Sequence, residues 1–111
     1  MPSVDLTIGE QDFTIEFDMI NETSNGPFDL TDFDCKLFIK TTDFVTNIVP
    51  GGITILPLGS PQEGILLWNV QASHIPSSAG QYYGMIVMTN TVNSEIRKSR
   101  RFNIRVERKL D

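Results

Sequence analysis

Few residues in this chain are of types that do chemistry, and their spacing limits what they could do. His74 is the only histidine and stands next to Ser73, ahead of Pro76. A neighbouring Ser–His pair is not a nucleophile with its base, because adjacent side chains need not face each other. No nucleophile elbow or oxyanion loop accompanies it. The expectation is a solvated loop histidine and no catalytic residue. Asp29, Asp32 and Asp34 crowd six positions. Calcium takes six to eight oxygens, and three carboxylates without EF-hand spacing fall short, so a solvated turn is expected and no metal site. Cys35 is the single cysteine, which rules out an internal disulfide and a four-thiolate zinc site. It alternates with Leu37 and Ile39, as a small core residue would. No glycine-rich loop leads into a helix, so no nucleotide or other cofactor is expected. Asn21-Glu22-Thr23 matches a glycosylation acceptor but has no secretory context.

The elements that must carry these residues follow a period of two. From Asp12 to Met19, apolar side chains fill every odd position and polar ones every even position. This is a strand with one buried face. Arg101 to Glu107 repeats the alternation, and Phe33, Cys35, Leu37 and Ile39 form a third set. Shorter strands are read at Val4 to Ile8, Ile53 to Leu56, Ile65 to Val70 and Tyr82 to Thr89. Turn chemistry separates them at Ser24-Asn25-Gly26-Pro27, Pro50-Gly51-Gly52, Gly59-Ser60-Pro61 and Pro76-Ser77-Ser78. Val70 to Ile75 has room for one short helical turn. The whole, residues 1–111, reads as one all-β domain, an antiparallel β-sandwich of about seven strands.

Composition agrees and narrows the partners. The 111 residues are 40% hydrophobic and 21% charged, enough for one core. The longest apolar runs are four or five residues, so no spanning helix is expected. Met1-Pro2-Ser3-Val4-Asp5 lacks a basic n-region and an apolar h-region, so no signal peptide is expected. Charge is uneven. Residues 1–90 hold eleven acids against two lysines, a net of −9, while residues 91–111 hold seven bases against three acids, a net of +4. The overall charge of −5 argues against nucleic acid as a partner.

Several local features, in order, resemble the immunoglobulin-like N-terminal domain of phage baseplate upper proteins and related small phage virion modules. They are the strand Asp12 to Ile20, the Asn25-Gly26-Pro27 turn, Phe28-Asp29-Leu30-Thr31 entering Phe33 to Lys40, and Gly52-Ile53-Thr54-Ile55. Ala79-Gly80-Gln81-Tyr82-Tyr83 and the closing Phe102-Asn103-Ile104-Arg105-Val106 complete the set. The basic run 97–101 and the apolar Trp68 strand are not part of the family pattern. The resemblance implies an immunoglobulin-like sandwich and a non-enzymatic structural or adaptor role in a tailed-phage virion, as a baseplate, tail or head-decoration module. It also implies assembly in the host cytoplasm, with other virion subunits or copies of itself as partners.

Each motif has its own physical reading. Asp29 is placed to accept bonds from nearby amides in an Asx-type turn, directing Leu30 inward. Gly80 permits a tight left-handed turn before Tyr82, whose hydroxyl can bond back to loop backbone. Two surfaces remain as candidates for contact. Asp12, Glu16 and Asp18 share one strand face, and Arg101 and Arg105 share another, with Arg97 just before. The acidic face of one copy would dock on the basic face of a neighbour, heterologously and with salt sensitivity; otherwise the terminal bases only discourage edge aggregation. The alternative function is carbohydrate binding on Trp68, Tyr82 and Tyr83, although Trp68 sits where sandwiches bury a tryptophan. Of the two tyrosines one points outward, and Tyr83 is the candidate for partner contact.

Overall fold

The computed structural model describes residues 3–21, 23–42 and 47–108. Its elements are β1 (Ser3–Thr7), β2 (Phe13–Asp18), β3 (Phe33–Lys40), β4 (Ile53–Pro57), β5 (Ile65–Val70), β6 (Gly80–Asn90), β7 (Ile96–Lys98) and β8 (Phe102–Glu107). Single 3-10 turns at Pro61–Glu63 and Ala72–His74 are the helical structure among the described residues.

The strands run β1-β8-β6-β3-β4-β5-β2, with β7 also on β6. They form two layers because β4 changes partner along its length. Ile53 and Ile55 pair with Leu37 and Cys35 of β3, whereas Leu56 and Pro57 pair with Leu67 and Leu66 of β5. One sheet is therefore β1-β8-β6-β3-β4 and the other β4-β5-β2. The expected sandwich is observed, with two differences in detail. β1 lies parallel to β8, Ser3 beside Asn103 through to Thr7 beside Glu107. An eighth strand, β7, follows a polar hairpin in which Asn90 Oδ1 accepts the amides of Val92 and Asn93. β7 escapes pattern reading because all three of its residues are exposed.

Alternation places the core as expected. Leu6, Cys35, Leu37, Ile39, Ile86, Phe102, Ile104 and Val106 of one sheet face Leu66, Trp68 and Val70 of the other. Phe17 crosses the gap, with its ring 5.4 Å from Phe102 and 6.5 Å from Trp68. No polar or charged side chain is buried among the described residues. Burial of this kind stabilises by roughly 25 cal/mol per Å² of apolar surface.

Two close approaches bind the layers' corners. Gly64, at φ +72°, is buried where an added Cβ would lie 2.8 Å from the Met19 carbonyl and 2.9 Å from that of Phe28. Only glycine allows that backbone contact at that angle. Asp29 accepts the Thr31 amide at 2.9 Å and the Thr31 hydroxyl at 2.6 Å, so its carboxyl is held below the usual range. The turn drives Leu30 into the core, 2% exposed, with its amide on the Pro61 carbonyl. Glu22, the middle residue of the acceptor pattern, lies outside the described residues; Asn21 Oδ1 accepts the Thr23 amide in the turn that follows.

Candidate functional site

His74 is not the solvated loop residue expected. Its Nδ1 accepts the indole N–H of Trp68 at 3.1 Å and the Gln71 amide at 3.2 Å, and its ring lies 6.1 Å from the indole. An atom accepting two bonds carries no proton, so the neutral ring has its proton on Nε2. Burial lowers the His74 pKa from its ordinary value. The physical reason for the correction is Trp68. A fully buried indole must satisfy its one donor, and the 3-10 turn supplies the acceptor. Ser73 is exposed beside this arrangement, and no bond between Ser73 and His74 is formed.

The other chemical candidates are structural too. Cys35 is 3% exposed, and burial, followed by the nearby Asp34 charge, pushes its thiol up to about 11. Such a thiol is not a nucleophile at neutral pH. The Asp32 carbonyl accepts the Thr91 amide at 2.8 Å, tying the β2–β3 connection to the β6–β7 hairpin. No group of three potential ligands capable of holding a metal ion occurs among the described residues.

The aromatic platform is not present as a surface. Trp68 is fully buried, and Tyr82 is 9% exposed with its hydroxyl on the Ser78 carbonyl at 2.8 Å. This is the bond from tyrosine back to loop backbone that the sequence implies. Gly80, however, does not make a tight turn. At φ +149° it already pairs with Val106 as the first residue of β6. Tyr83 alone points outward, half-buried between Lys40 and Asn103 on the outer face of the larger sheet.

The charged candidates divide into separate places. Glu16 and Asp18 are exposed on β2, and Asp12 precedes it at φ +62°. Arg97 and Arg101 lie across from Glu16 and Asp18, and all four line one open cleft of about 1400 Å³ between the sheets. Its floor is apolar, including Phe17, Met19, Ile86, Met88 and Phe102, while Lys98 and Arg100 complete the basic wall. Arg97 reaches the cleft because it pairs with Met88, and cross-strand partners share a face. It is also bonded to Glu95 at 2.9 Å. Arg105 is elsewhere. It sits beside Gln81 on β8, paired with Glu107 at 3.2 Å. β8 lies between β6 and β1, so its bases do not guard a sheet edge.

The cleft exists because the sheets end unevenly on this side. The smaller sheet stops at β2, whose sole strand partner among the described residues is β5. The larger sheet is extended by β8 and β1 at one end of β6 but only by three-residue β7 at the other. Between β7 and β8 the chain bulges. The Ser99 hydroxyl accepts the Ile86 amide at 2.9 Å, and the Ser99 amide bonds the Ile86 carbonyl at 2.8 Å. The bulge carries Arg100 and Arg101 to the mouth of the cleft. Pattern reading finds the acids and the bases but not their meeting, because their proximity depends on how the two sheets stack.

No family model matches this chain, and no curated protein matches it. Among solved structures, it is similar in fold to the N-terminal domain of phage TP901-1 ORF48, with a TM-score of 0.69 at 11% identity over 96% of this chain and 85% of that one.

Proposed function

We propose that this domain is a non-enzymatic structural or adaptor module of a tailed-phage particle, working through protein–protein contacts. The observation that carries the reading is the fold likeness to a phage protein's N-terminal domain over nearly the whole chain. It agrees with the ordered motifs from Asp12 to Val106 that resemble small phage virion modules. The immunoglobulin-like character belongs to the same reading. It is supported by β1 lying parallel beside β8, by β4 changing sheets and by the bond from Tyr82 to Ser78.

The chemistry supports a passive role. His74 is occupied as an acceptor for Trp68, and Cys35 is a buried thiol. Carbohydrate binding keeps only Tyr83 of its three aromatics at the surface. What the domain offers a partner is strand edges, the charged walls of the cleft and loops on a rigid scaffold. Mass spectrometry of purified particles carrying the encoding genome tests the proposal. The chain is expected in stoichiometric amounts; its presence in the lysate and absence from the particles would overturn it.

A further inference from the structure

The backbone geometry of the cleft defines two unused strand edges of opposite charge. The Met19 amide bonds the Gly64 carbonyl at 2.7 Å in line with the β2–β5 register. Hydrogen-bonded positions recur every second residue in an antiparallel pair, so Phe13, Ile15 and Phe17 turn their backbone groups to β5. Thr14, Glu16 and Asp18 turn theirs to the open side. On β7 the Glu95 carbonyl accepts the Asn90 amide and the Ser99 amide bonds Ile86. Ile96 and Lys98 therefore direct their backbone groups away from β6. Glu16 and Asp18 of β2 and Lys98 of β7 are exposed, and an exposed isoleucine accompanies each strand, Ile20 at 60% two residues beyond β2 and Ile96 at 59% at the start of β7.

We infer that β2 of one copy pairs antiparallel with β7 of the next, with Asp18 beside Lys98 and Ile20 beside Ile96 of the neighbouring copy. This inference rests on the particle reading above and names the partner as a second copy of this chain. The register meets three conditions together. It matches open backbone groups with open backbone groups, opposite charges with each other, and the two exposed isoleucines with each other. Opposite charges directly across a pair are favourable and like charges are not. β2 against β2 would set Glu16 and Asp18 among acids, and β7 against β7 would set Arg97 and Lys98 among bases. β1, the other open edge, offers one acid, Asp5, on its five residues. Because the contact joins different edges, it leaves β7 free on one copy and β2 free on the other. Repetition gives a ring or a filament.

Light scattering after size exclusion at low and high salt tests this with charge-reversed chains. The intact protein is expected at about twice the monomer mass or more at low salt, falling to monomer at high salt. Glu16→Lys with Asp18→Lys, and separately Lys98→Glu, are each expected to be monomeric. An equimolar mixture of the two should recover the low-salt mass, since each β2–β7 contact between the two variants joins opposite charges. Monomer at every salt concentration for the intact protein, association by either variant alone, or a mixture that stays monomeric overturns the pairing. If a reversed chain does not fold, as judged by Trp68 fluorescence, Glu16→Gln with Asp18→Asn takes its place and must lose the salt-dependent mass. A chain found in particles that fails the mixing test overturns the edge pairing alone; one that passes but is absent from particles overturns the particle reading alone.

Discussion

The closed end around Trp68 and the open β2–β7 cleft are built to opposite rules. Around Trp68 the buried donor is paired: the indole donates to His74 and the Gln71 amide shares that acceptor, while on β6 the Tyr82 hydroxyl is held by Ser78. At the β2–β7 cleft, apolar side chains stand half-covered and two strands leave one edge each without a strand partner. Buried polar atoms must be paired, which forces the first region into one arrangement. Exposed edges carry no such obligation, so charge rather than packing decides what approaches the second. The first region should thus govern stability, and the second association.

Substitutions at the closed end should show the largest effects. Trp68→Ala leaves a large cavity and strands the Nδ1 acceptor; a loss of about 3–5 kcal/mol is expected by urea denaturation. Gly64→Ala forces a Cβ against two carbonyls at a left-handed angle. Although this corner lies beside the cleft rather than at the closed end, the change should cost on the order of 1–3 kcal/mol in the same assay. Equal stability to the intact protein would mean that the β2–β5 corner is looser than described. Tyr82→Phe removes only the bond to Ser78 and should cost about 1 kcal/mol, read as a lowered midpoint with unchanged slope.

His74 adds a pH dependence to this end. Its folded pKa lies below the ordinary 6.5, so the unfolded chain takes up the proton first. The contribution to stability is complete above pH 6.5 and is lost as pH falls through the folded value. His74→Asn, which keeps an acceptor for the indole without a titrating ring, should flatten that part of the stability–pH curve relative to the intact protein. Identical curves for the two proteins would remove His74 from the account. The smallest effect belongs to the open end. Glu16→Gln and Asp18→Asn should change the unfolding free energy by no more than about 0.5 kcal/mol, as exposed charges do. A large loss would show that β2's charges hold the sandwich together rather than face a partner.

Strand positions were readable because a half-buried strand alternates apolar and polar residues, and the runs from Asp12 and Arg101 do so without interruption, that from Phe33 with only Phe38 out of pattern. Cys35 was readable as core for the same reason, Leu30 from the Asx-type turn at Asp29, and Trp68 from its place in the most apolar segment. β7 was not, since an edge strand exposed on both faces imposes no apolar period; its one local sign is the polar hairpin at Asn90–Asn93. β2's apolar residues were expected indoors and are only half-buried, because nothing in the described structure covers the edge beside them.

The order of residue types thus determined which segments are strands, which face of each seeks the interior and how many acids and bases each carries. Folding alone decided that Trp68 would need His74, and that Glu16 and Asp18 would share a cleft with Arg97 and Arg101. Alternation is a local property, enforced between neighbours along one strand. Hydrogen-bond partners and facing charges arise between segments tens of residues apart, whose distance is set only when the two sheets close on a common core.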